Sequence, residues 1–122
     1  APGASCLVLA PPDMSERRHG RSTGTPEILP QIVDIERSVA HASGCAFFDT
    51  FAAMGGAGSM YRWVDADPAL GASDREHLTS RGYRTLGETI GAALRGAYDA
   101  SRGAEPVAAA SGRPSDGAAA DR

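Results

Sequence analysis

Two segments, CLVLAPP at residues 6–12 and CAFFD at residues 45–49, decide the fold. In the first, Cys6, Leu7, Val8 and Leu9 run unbroken until Pro11 and Pro12 close the stretch. In the second, Cys45, Ala46, Phe47 and Phe48 follow Gly44 and stop at Asp49. Short apolar runs without alternation predict strands over 5–10 and 45–49 that are buried on both faces, as in a parallel sheet. Between them Ile28, Ile32, Ile35 and Val39 recur at spacings of 4, 3 and 4, which places them on one side of an amphipathic helix. Pro30 lacks the amide proton that an uninterrupted helix would need, so the regular helix is expected from about residue 30 to residues 43–44, with a separate turn at Thr25 and Pro26. Strand, helix and strand make a βαβ unit, whose crossover is right-handed.

Outward from this unit the chain is less regular. Residues 13–24 are polar, with Glu16, Arg17, Arg18, His19, Arg21 and two Gly, and read as a loop leaving the strand's C-terminal end. Residues 51–54 predict a helical turn broken by Gly55 and Gly56. Residues 55–73 predict a long Gly- and Ala-rich connection that Met60, Tyr61, Trp63 and Val64 hold to the body; connections of this length are more often functional than idle. The final helix has Thr79 as its cap and Tyr83, Leu86, Ile90, Leu94 and Ala97 as its apolar stripe, at spacings of 3, 4, 4 and 3. After Tyr98 only Val107 is a large apolar residue, so residues 1–100 are expected to form one α/β domain portion and residues 101–122 a disordered tail.

Composition removes several functions. The chain has 122 residues, 12 Arg without a Lys, and a net charge of -3. An acidic balance with scattered Arg lacks the basic face that nucleic acid requires. No apolar run approaches the roughly 20 residues of a membrane span, and no basic segment precedes the first apolar run as in a secretory leader. Cys6 and Cys45, 39 positions apart, form no CxxC metal site. They begin neighbouring strands, and a disulfide or two small buried thiols both explain them. The Ala- and Arg-rich usage fits a GC-rich bacterial genome, and the compartment stays open, inside or outside the cytoplasm.

The chemistry concentrates in SDREHLT, residues 73–79, where Asp74 stands three positions before His77. A carboxylate one turn from an imidazole accepts its Nδ1 proton, fixes the tautomer and leaves Nε2 to take a proton from a nucleophile. That arrangement suits acyl transfer. DxxH spacing is common by chance, and its bland reading is a surface His near a helix start. Ser59 in GAGSM fails the GxSxG elbow pattern because Tyr61 follows Met60, so a turn or pocket role is preferred for it. His19 and His41 read as solvated or helix-end residues without zinc spacing to His77. Asp13 and Asp49 would lie at the sheet's C-terminal edge, where α/β sites form, although cap or turn roles are favoured. Trp63 and Met60 read as packing before groove lining.

The text around the dyad adds to this reading. DREHLTSRGYRTLGETIGAAL, with Leu78, Thr79, Gly82, Tyr83, Leu86 and Gly87, resembles the closing block of the SGNH (GDSL-type) hydrolases. LVLAPPDM at 7–14 and CAFFDTFAAMGGAGSMYRWV at 45–64 are similar to the same family's second half, in the right order. The resemblance covers residues 5–98. It implies the C-terminal part of a three-layer α/β/α, flavodoxin-like domain of a serine esterase that needs no cofactor or metal, with Asp74 orienting and His77 acting as general base. The GGxGSMxxW stretch also looks like members that act on O-acetylated cell-wall or other polysaccharides. The family's GDS nucleophile block, its Gly block and its GxND block have no counterpart here. The resemblance therefore implies that an ester substrate meets a complete site only where a missing N-terminal half contributes. A non-catalytic remnant or half-domain that only pairs with a complementary chain, and part of an O-acyltransferase, remain as alternatives.

Overall fold

The computed structural model describes residues 5–103. The expected tail beyond that point lies outside the described residues. In order the elements are β1 (Leu7–Leu9), β2 (Glu16–Arg18), β3 (Arg21–Gly24), α1 (Leu29–Ala42), β4 (Ala46–Phe48), α2 (Thr50–Met54), α3 (Ser59–Val64) and α4 (Ser80–Gly103).

The two apolar runs do form the parallel pair, β1 against β4, with Leu7, Val8 and Leu9 registered on Ala46, Phe47 and Phe48. Helix α1 crosses between them, with Pro30 in its first turn where the missing amide costs no hydrogen bond. The buried face of α1 is Leu29, Val33 and Ala40, whereas the expected stripe of Ile28, Ile32, Ile35 and Val39 is exposed, because no described element covers that side. Cys6 and Cys45, immediately before the two strands, are joined by a disulfide with Cα atoms 4.7 Å apart, which decides between the two readings of these cysteines.

The strands are less covered than the sequence predicts. Leu9 is 48% exposed and Leu7 also reaches the surface, so the expected burial on both faces does not hold within this chain. The apolar stripe of α4 behaves likewise. Tyr83 is 57% and Leu94 48% exposed, while Leu86 packs on the core. Helix α4 packs against α2, which leaves Tyr83 and Leu94 uncovered. Helix α4 also runs through Ser101, Arg102 and Gly103, past the expected end of the domain.

Two further expectations need correction. Residues 13–24 are not a loop: β2 and β3 form an antiparallel hairpin that registers Arg17 on Ser22 and Arg18 on Arg21. Its two-residue turn, His19 and Gly20, has φ of 51° and 75°, the positive values of a type I′ turn. Residues 55–73 are not a plain connection either, because α3 lies within them. Helix α3 brings Met60 into a compact core with Met54 and Leu78, flanked by Trp63, Val64 and Leu86. This small core lies beneath the segment that carries Asp74 and His77.

Candidate active site

The loop following β1 and the segment 69–79 are fastened together, and this fastening positions the candidate dyad. Asp13, three residues beyond Ala10 at the end of β1, is fully buried. Its Oδ1 accepts from the Thr25 hydroxyl at 2.7 Å, and its Oδ2 accepts from the Met60 amide at 2.8 Å and the Ser59 hydroxyl at 3.3 Å. Thr25 in turn accepts from the Gly58 amide at 2.8 Å. One carboxylate thus pins the start of α3 to the C-terminal edge of the sheet, which is a structural role of the kind the sequence favoured for Asp13. Ser59 is completely buried and engaged by Asp13, so it offers no exposed hydroxyl for attack. Its place is in the framework.

From this edge the Ser15 amide donates to the Arg75 carbonyl at 2.9 Å, while the Arg75 guanidinium sits 4.8 Å from the centre of the Tyr61 ring. Tyr61 and Ser15 are also joined through their hydroxyls at 3.1 Å. On the other side, the Ala72 amide donates to the His77 carbonyl at 2.8 Å and Gly71 bridges Leu78. Leu78 then drops into the core. Thr79 caps α4 by accepting from the Gly82 amide at 3.1 Å, and its own hydroxyl reaches the carbonyls of Ala69 and Leu70. Gly82 is required here by space, because a Cβ would lie 2.0 Å from the Leu70 carbonyl oxygen. Gly71 is similar, with a Cβ position 2.7 Å from Val64. The segment is held from both ends, by α3 and by α4.

Within it Asp74 and His77 meet. His77 Nδ1 lies 2.8 Å from Asp74 Oδ2, and since a carboxylate only accepts, Nδ1 carries the proton. The other oxygen of Asp74, Oδ1, accepts the amides of Glu76 and His77, each at 3.0 Å. These amides, His77's first, and then the imidazole itself hold the Asp74 carboxyl far below its ordinary range. The bond to Asp74 and its negative charge raise the His77 imidazole above its ordinary 6.5. Among the described residues nothing hydrogen-bonds His77 Nε2, and the ring is 68% exposed. The pair therefore presents an oriented, basic nitrogen to the outside of the chain.

The remaining candidates have framework roles. Asp49 caps α2 by accepting from the Ala52 amide at 2.7 Å and pairs with Arg37 at 2.5 Å. Trp63 donates its indole proton to the Met54 carbonyl at 3.1 Å, which fits packing and not groove lining. His19 occupies the hairpin turn, and His41 lies in the last turn of α1, where a cation complements the helix dipole. No group of three or more metal-ligating side chains occurs among the described residues, and no helix among them is long and apolar enough to cross a membrane. An open concavity of about 270 Å³ lies away from the dyad, lined by Glu16, Thr23, Thr25 and Glu27. The hairpin that frames it is what sequence reasoning missed; the His-Gly pair at 19–20 was its only local signal, in place of the usual Asn-Gly.

No family model and no curated protein matches the sequence. Among solved structures, the fold is similar to that of a peptidoglycan O-acetylesterase described as in action at 5 min, with a TM-score of 0.71 and 26% identity. The match covers 81% of this chain and 28% of that one, so the chain spans under a third of the length of the protein it resembles. The mixed helix and strand architecture with its small parallel sheet is thus similar to part of an esterase structure.

Proposed function

We propose that residues 5–103 form the base-supplying part of an SGNH-type acetyl-ester hydrolase domain, with three-layer α/β/α architecture when complete. The observation that carries this is the hydrogen bond from His77 Nδ1 to Asp74 Oδ2, which leaves Nε2 unbonded and outward-facing. The similarity to a peptidoglycan O-acetylesterase supports the reaction class, and O-acetylated polysaccharide is the substrate class that follows from it.

In this reading Nε2 takes the proton of a seryl hydroxyl as that oxygen attacks the acetyl carbonyl. It then returns the proton to the departing sugar oxygen, and water repeats the cycle on the acetyl-serine. Asp74 stabilises the imidazolium and keeps the ring aligned. Ser59 is sealed against Asp13, so the nucleophile and the oxyanion donors come from a segment other than the described residues. The uncovered apolar side chains of β1 and α4, Leu7, Leu9, Tyr83 and Leu94, fit a domain in which further strands pack beside and over them.

The test is a pair of esterase assays with p-nitrophenyl acetate. The 122-residue chain alone should show no turnover above background. Grafted into the peptidoglycan O-acetylesterase in place of the matched 28%, residues 5–103 should support turnover that His77→Ala lowers by about 10²- to 10⁴-fold. Turnover by the chain alone that His77→Ala abolishes would refute the divided site. A folded, active graft indifferent to His77→Ala would refute the role of the dyad.

A further inference from the structure

Between Asp74 and His77 the chain holds a conformation that its side chain disfavours. Arg75 has a φ of 61°, in the left-handed region. For a residue with a Cβ this backbone is strained, and such strain persists only where the surroundings fix it. Three contacts do so here. The Arg75 amide donates to the Ala72 carbonyl at 3.0 Å, the Arg75 carbonyl accepts from the Ser15 amide at 2.9 Å, and the guanidinium carbon lies 4.8 Å from the centre of the Tyr61 ring. Arg75 Nε is buried without a hydrogen-bond acceptor among the described residues, so the side chain takes its hold from the ring face. Tyr61 belongs to α3, whose start is pinned by the buried Asp13, and the stack therefore refers residue 75 to the C-terminal edge of the sheet.

The turn bears on the dyad through the backbone. Residue 75 precedes the two amides that Asp74 Oδ1 accepts, those of Glu76 and His77, each at 3.0 Å. A return of Arg75 to right-handed φ would rotate the following peptide by about 120° and swing the Glu76 amide off the carboxylate. With Oδ1 engaged by both amides, Oδ2 is left facing His77 Nδ1 at 2.8 Å. We infer that Arg75 is a positioning residue of the dyad: its guanidinium, stacked on Tyr61, holds the left-handed turn that aims the Asp74 carboxylate at His77. This deepens the esterase reading, on which the catalytic use of the pair rests, but the aim of the carboxylate can be measured without any reaction.

The experiment follows the His77 ring by NMR across pH in the full 122-residue chain, with thermal melting alongside, for Arg75→Ala, Tyr61→Leu and Tyr61→Phe. Asp74 and Glu76 are the acidic groups acting on the ring, and both stay in place. In Arg75→Ala and in Tyr61→Leu the midpoint should fall toward the ordinary 6.5 as Asp74 loses its aim. Tyr61→Phe keeps the ring and should keep the midpoint. The sign separates positioning from simple charge: removing a neighbouring cation would by itself raise an imidazole's midpoint, and Tyr61→Leu removes no charge at all. In the graft, Arg75→Ala should lower kcat about 10²-fold with KM unchanged. A midpoint that stays or rises in a folded Arg75→Ala or Tyr61→Leu chain would overturn the inference. So would unfolding of both variants, which would make the stack a general support, or an undiminished kcat in a graft that His77→Ala inactivates. The shifted midpoints together with a graft indifferent to His77→Ala would refute the esterase reading and leave the positioning role standing.

Discussion

Gly82→Ala is the sharpest probe of how the dyad segment is held. The added methyl would sit 2.0 Å from the Leu70 carbonyl oxygen and 2.9 Å from its carbon, both backbone atoms that have no rotamer to escape into. The first turn of α4 must therefore back away from residue 70. Doing so strains the Thr79 amide bond to Leu70, now 2.8 Å, and the Thr79 hydroxyl bond to the same carbonyl, now 3.1 Å. Overpacking of this kind costs about 1–3 kcal/mol, and two weakened hydrogen bonds add about 1 kcal/mol each. The better helix propensity of Ala returns up to about 1 kcal/mol. The net loss is about 2–4 kcal/mol, or roughly 10–30 °C in melting temperature for a domain of this size. Gly87→Ala on the same helix is the internal control. Nothing lies within 4 Å of its Cβ position, so it should be neutral or stabilising by up to about 1 kcal/mol. Thermal and urea melts of the two variants side by side give the answer. Equal stability of the two would refute the close approach of α4 to residue 70, and with it the account of how His77 is positioned.

The dyad makes a pH prediction. By NMR, His77 should titrate above 6.5, and Asp74→Asn should bring it down toward that value; an unmoved midpoint would remove the hydrogen bond from the account. A raised imidazole favours the folded state at low pH and loses that effect as pH climbs through its folded pKa, whereas a lowered carboxyl favours folding only above its ordinary 3.8. The pair therefore contributes fully between pH 3.8 and 6.5 and fades on either side. Reducing the Cys6–Cys45 bond, which closes a loop spanning 39 positions, should cost about 4 kcal/mol in urea melts under dithiothreitol; no change would mean that the β1–β4 pair holds itself. Asp13→Ala leaves the Thr25 and Ser59 hydroxyls and the Met60 amide without their acceptor. At about 1–3 kcal/mol for each buried group it should lower stability by 3 kcal/mol or more, and a smaller loss would show that water replaces the carboxylate.

The elements legible in the sequence are those that carry an apolar run or stripe, whether or not this chain covers it. Val8 and Phe47 pair half-buried in the middle of β1 and β4, where the apolar runs mark them; in α1 the stripe marked the helix but not its buried face, which is Leu29, Val33 and Ala40, while Ile28, Ile32, Ile35 and Val39 are exposed. The hairpin was illegible because Arg17, Arg18 and Arg21 give no alternation of apolar and polar residues, and its turn uses His19 where Asn is usual. Helix α3 was hidden because its anchor is a distant carboxylate, Asp13, which no local pattern reveals. The exposure of Tyr83 and Leu94 has a different origin. A stripe in the sequence states that a face is apolar, but not which segment lies over it. At the candidate site, the spacing of Asp74 and His77 contained the dyad itself. What it did not contain is the clamp, from Ser15 to Arg75 and from Thr79 to Leu70, that keeps the two side chains in reach.

The disulfide has one more consequence, for how this chain withstands peptidases. The hairpin offers the exposed Arg21 to a trypsin-like enzyme, between Cys6 and Cys45. A cut there separates the backbone but not the molecule, since the amino-terminal piece stays tethered through sulfur beside its partner strand. Nicked and intact chains would co-migrate on a gel until a thiol is added, and damage at the hairpin would pass unnoticed in an oxidising milieu.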